Sequence, residues 1–74
     1  MDTFSIQLDS HETGVTRRDE DVFIVRLPEK TIYLEKREDN EGANHWFEEG
    51  KDNETTLTAN IGAAIENWLA KNNS

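Results

Sequence analysis

The chain has no cysteine, so neither a disulfide nor a thiolate-held metal staples it. That absence fits a reducing compartment, and a cytoplasmic location is the expectation. Long apolar runs are missing as well. None approaches the ~20 residues of a membrane span, and Met1-Asp2-Thr3 opens neither a basic nor an apolar leader. A membrane is therefore not an expected partner. Positive charge is scarce, with 8 Lys and Arg against 16 Asp and Glu and a net charge of −8. Such a field repels nucleic acid and anionic lipid unless the basic residues cluster. The only basic doublets, Arg17-Arg18 and Lys36-Arg37, are both flanked by acids, so direct nucleic-acid binding is not expected.

Apolar residues are also few, at 34% against 32% charged, a balance that approaches that of disordered chains. Two Trp, three Phe and one Tyr, together with clear periodicity, favour folding. Seventy-four residues make a single small acidic domain, 1–74, with room for one thin core.

The strongest pattern lies near the C-terminus. Leu57, Ile61, Ala64, Ile65, Trp68 and Leu69 recur at spacings of three and four, which predicts one amphipathic helix. Asn53, Thr56 and Thr58 are the candidate N-caps, and Glu54 and Lys71 suit the helix dipole. Gly62, beside Ala63 and Ala64, costs about 1 kcal/mol in a helix interior and predicts close approach of helix to sheet.

The remainder predicts short strands. Phe4, Ile6 and Leu8 alternate with polar residues, as in a strand buried on one face. Residues 10–20 are polar, with Gly14 as the expected turn and Val15 and Thr16 opening a return strand. Val22 to Leu27 is apolar and rich in β-branched residues, Pro28-Glu29-Lys30 is a turn, and Thr31 to Lys36 completes a hairpin. A loop follows around Gly42, and His45 to Glu49 reads as a further short strand. The prediction is α+β: a three- to four-stranded antiparallel sheet with one C-terminal helix on one face.

No residue pattern predicts catalysis. Glu48 and Glu49 are adjacent, so on a strand they point to opposite faces and form no acid–base dyad. Asp19-Glu20-Asp21 reads as a solvated charge run, and neither His11 nor His45 sits in a nucleophile motif. His45 with Asp39 and Glu41 has the residue types for a divalent metal, but the spacing matches no zinc or calcium loop. No metal, no cofactor and no enzymatic activity are expected. Asn53-Glu54-Thr55 matches the glycosylation sequon but lacks a secretory context.

Surface arithmetic carries the functional expectation. One helix covers one face of a small sheet, and its stripe must meet Phe4, Ile6, Leu8, Phe23, Val25, Leu27, Ile32 and Leu34. Alternation sends Val22, Ile24, Arg26, Tyr33, Glu35 and Phe47 to the other face. Val22, Ile24 and Tyr33 then form an apolar strip rimmed by charge, the mark of a contact surface. The competing expectation is that long side chains such as Arg26 and Arg37 fold over it, or that a loop covers it. The predicted function is non-enzymatic protein binding: an inhibitor, antitoxin-like neutraliser or adaptor docking on a basic protein, with a nucleic-acid mimic as a special case. Asp19, Glu20, Asp21, Glu35, Glu38 and Asp39 would supply acidic steering toward that partner. The alternative is a small homodimer built through the open sheet face or an edge strand.

Overall fold

The computed structural model describes residues 2–72. Five strands, β1 (Asp2–Leu8), β2 (His11–Arg17), β3 (Val22–Arg26), β4 (Thr31–Glu38) and β5 (Asn44–Glu48), precede one helix, α1 (Thr56–Asn72). The strands form an antiparallel meander in the order β1-β2-β3-β4-β5. The α+β class is as the sequence predicts, but the sheet has five strands instead of three or four.

The strand placed too late in the sequence is β2, expected to open at Val15 and in fact running from His11 to Arg17. Gly14 is not a turn; it lies in mid-strand opposite Ser5 on one side and Arg26 on the other. The turn falls earlier, at Asp9 and Ser10, whose φ values of 49° and 69° are both left-handed. Two successive positive φ values define the two-residue hairpin turn whose twist matches its flanking strands, and Asp tolerates this region better than most residues. Pro28 does occupy the second position of the β3–β4 turn, which Leu27 closes by donating to the Lys30 carbonyl at 2.8 Å.

Register places Phe4, Val15, Val25 and Ile32 in one inward row. Phe23 and Leu34 form the next. These side chains, with Ile6, Trp46, Ile61 and Ile65, make the core. The helix backbone approaches β1, β4 and β5 but not β2 or β3. A flat sheet would set its outer strands roughly 19 Å apart, too far to flank one helix while its centre stays clear. The sheet therefore curls, with α1 lying in the mouth between β1 and β5.

Two details fix the helix. Trp46 rises from β5 and is 2% exposed, and a Cβ built on Gly62 would overlap its ring. The glycine predicted to permit close approach is the seat of that indole. The N-cap is Thr55, which none of the three candidates anticipated: its Oγ1 accepts the Thr58 N–H at 3.1 Å while Thr58 Oγ1 accepts the Thr55 N–H at 2.9 Å. This is a reciprocal capping box with threonine at both positions. The expected stripe is also corrected at its start, because Leu57 is 43% exposed and Thr58 is buried instead.

Candidate functional site

The strand ladder determines which surfaces remain open. Alternation along β3, β4 and β5 puts Ile24, Arg26, Thr31, Tyr33, Glu35, Arg37, His45 and Phe47 on the face away from the helix. Ile24 and Tyr33 oppose each other at a position between ladder hydrogen bonds, where facing side chains come closest. Tyr33 is 42% exposed and Ile24 is half-buried.

Val22 does not join them at the surface. It points to the same face, but only 9% of it is exposed. The cause is the chain's own arginines. Arg18, level with Val22, reaches across β3 and β4 to Glu49 beyond β5, with 4.0 Å between the charged atoms. Arg37 lies 4.6 Å from the centre of the Phe47 ring and pairs with Glu35. Arg26 donates to Thr16 Oγ1 at 2.8 Å. Stems of these side chains cover apolar surface while their heads stay wet. The expected three-residue strip thus contracts to Ile24 and Tyr33, with Arg18 the covering residue that the sequence reading passed over.

The acidic residues named above separate by position. The β2–β3 loop and the β4–β5 loop lie at the same end of the meander, which brings Asp19, Glu20 and Asp21 beside Glu38, Asp39 and Glu41. Asp19 accepts the Asp21 N–H at 3.1 Å, and Asp21 lies 3.8 Å from the Lys36 ammonium. Glu20 and Glu38 are exposed. Glu35 stands on the open face under Arg37.

Asp39 is turned inward on its own loop. Its Oδ1 accepts the N–H groups of Glu41 and Ala43 at 2.8 and 2.9 Å, and its Oδ2 meets His45 Nε2 at 2.9 Å. The other ring nitrogen of His45 meets Glu54 Oε1 at 3.2 Å. His45 is therefore no free loop histidine but a clasp between the β4–β5 loop and the lead into α1. The Asp39 hydrogen bond, then that of Glu54, raises the His45 pKa. His45, then the two backbone N–H groups, lowers that of Asp39. For Glu54 the Trp46 N–H acts first and His45 second, again downward. With both ring nitrogens held by carboxylates, His45 has none left to activate a hydroxyl. Among the described residues no group of three ligating side chains is arranged to hold a metal ion.

Glu54 also belongs to the edge of the sheet. Hydrogen bonding to β4 uses His45 and Phe47, so Asn44, Trp46 and Glu48 turn their backbone groups outward. Glu54 Oε2 accepts the outward Trp46 N–H at 2.8 Å, and the Lys51 N–H donates to the Glu48 carbonyl at 2.9 Å. The residues between β5 and α1 thus fold back and take up two of the outward groups of the β5 edge. Sequence reasoning assigned Glu54 to the helix dipole. Its spacing from Trp46 carries no motif, and only the return of the chain brings the two together.

No protein-family model matches the chain, and neither a curated protein nor a solved structure is found similar to it. Among the described residues, no helix is long and apolar enough to cross a membrane.

Proposed function

We propose that this chain is a non-enzymatic protein-binding module that docks on a basic protein partner, in the manner of an inhibitor, antitoxin-like neutraliser or adaptor. The observation that carries this reading is the Ile24–Tyr33 pair, partly exposed on the helix-free face of a sheet whose one end is rich in carboxylates. An apolar contact with a charged rim is the usual anatomy of a specific interface, with the tyrosine as its natural anchor. Charge distribution supports the same partner class. Lys36 pairs with Asp21, Arg37 with Glu35 and Asp52, and Arg18 with Glu49, while Arg17 donates to the Glu20 carbonyl and lies over the Phe23 ring, so three of the four bases near this end are matched by the chain's own acids. Asp19, Glu20, Glu38 and Glu41 remain as the outward field, which steers a Lys/Arg-rich surface.

The test is capture of binding proteins on the immobilised chain at low and high salt, using the wild type and an Ile24→Lys/Tyr33→Ser variant. The expected result is a basic protein retained at low salt, released as salt screens the charges, and lost by at least tenfold with a variant whose thermal unfolding is unchanged. Retention indifferent to both salt and the double substitution would overturn the reading.

A further inference from the structure

We propose that β1 is a pairing edge for a second copy of this chain, joined antiparallel about a two-fold axis at Ser5. The inference uses the sheet edge and not the open face, so it goes beyond the partner docking described above.

The geometry follows from the first hairpin. Leu8 and His11 close the two-residue turn and exchange hydrogen bonds. Alternation then commits Asp2, Phe4, Ile6 and Leu8 to β2 and turns the N–H and C=O of Thr3, Ser5 and Gln7 outward. Those three residues are exposed, and among the described residues no other group bonds their backbone. The ladder from Asp2↔Arg17 to Leu8↔His11 is unbroken by any bulge. The strand has no proline and no lysine, the usual devices that protect an edge.

Such an edge fits its own copy. With Ser5 on the axis, Ser5 faces Ser5 of the second copy, and Thr3 faces Gln7. All three are outward-bonding positions, so six main-chain hydrogen bonds form. Phe4 then opposes Ile6, which carries the apolar row of the helix side across the junction. Asp2 is the only charged residue of the strand, and it meets Leu8. The two Asp2 residues stand about 20 Å apart, beyond the screening length at physiological salt. The acidic loop ends point to opposite extremities of the ten-stranded sheet, so most of the net charge of −8 per chain lies away from the junction, the exception being Asp2 beside Asp9 of the second copy, once at each end. A groove along the edge, lined by Ser5, Gln7, Ala64, Asn67, Trp68 and Lys71, would be roofed by its counterpart.

Single cysteines test the register directly, since the chain has none of its own. Facing residues at a hydrogen-bonded position lie about 5.5 Å apart between Cα atoms, within disulfide range. Ser5→Cys is expected to give a disulfide-linked dimer rapidly on mild oxidation, and Gln7→Cys at least tenfold more slowly. Equilibrium sedimentation of the wild type should approach twice the chain mass of 8.5 kDa. Ser5→Pro removes an outward N–H that the folded chain does not use, a substitution edge strands accept. It should sediment as a folded monomer that still captures the basic partner. A wild-type monomer at all concentrations, equal cross-linking of both cysteine variants, or pairing of β1 only with an extended segment of another protein would overturn the proposal.

Discussion

The two edge strands of this sheet, β1 and β5, face the same difficulty and meet it differently. Each carries a row of outward backbone groups that no neighbouring strand can take. At β5 the following residues double back, so Glu54 takes the Trp46 N–H and Lys51 takes the Glu48 carbonyl. The same strand drives Trp46 into the seat at Gly62, and Glu66 on the helix accepts the indole Nε1–H at 3.2 Å and the Asn44 amide at 2.7 Å. At β1 the helix contact is also firm, with the Phe4 and Trp68 rings stacked at 4.0 Å. Among the described residues, however, nothing bonds the outward backbone groups of its outer edge. An edge can thus be well anchored on its face and still unsatisfied along its rim, because packing and hydrogen bonding act in perpendicular directions. β5 has two of its outward groups taken up within the chain, whereas among the described residues β1 has none.

The largest expected effect breaks the β5 side. Gly62→Ala should destabilise the fold by about 3 kcal/mol in urea unfolding, although alanine favours a helix by about 1 kcal/mol over glycine, because the added methyl overlaps a buried ring with little room to retreat. Stabilisation would show that the Trp46 seat is looser than the contact implies.

A smaller effect sharpens the difference between the rims. Glu54→Ala removes the acceptor from the Trp46 N–H and should cost about 1 kcal/mol. Hydrogen exchange should report the same change locally. The Trp46 amide, protected in the wild type, should quicken toward the rate that Ser5 shows in the isolated monomer. An unchanged Trp46 rate would mean that the helix, and not Glu54, shields that edge.

The smallest effect is a dependence on pH. A raised His45 pKa adds stability that is fully present below the ordinary histidine value of 6.5 and lost as pH rises through the folded value. Lowered Asp39 and Glu54 values add stability present above the ordinary 3.8 and 4.5, lost as pH falls through their folded values. The clasp therefore contributes most from about pH 5 to 6.5. His45→Gln should flatten the thermal-unfolding profile on the alkaline side of that window, with little change at pH 9. Its exposure keeps the effect modest, since water and salt screen such pairs.

The elements legible in the sequence were those whose side chains sort cleanly by period. Phe4, Ile6 and Leu8 alternate, the Val22–Leu27 run is apolar and β-branched, and the C-terminal stripe recurs from Ile61 onward, and the inward set they define is the observed core side. The first half of β2 escaped because its buried positions, Thr13, Val15 and Thr16, include two hydroxyls, and because Gly14 resembles a turn. The real turn at Asp9–Ser10 contains no glycine. No contact around Gly14 requires a glycine there. The Ile24–Tyr33 pair was legible from alternation, but the closure over Val22 was not, since Arg18 finds Glu49 only across intervening strands.

Period and composition by themselves determined an acidic α+β domain with a single apolar helix face and one side of the sheet turned inward. Those properties depend on residues close in sequence, whose spacing fixes their direction. The tertiary structure alone decided that Glu54 takes an outward N–H of one edge, that His45 is held between two carboxylates, and that among the described residues Thr3, Ser5 and Gln7 form an open rim. Each depends on strand order and on where a distant segment returns, and no local pattern encodes either.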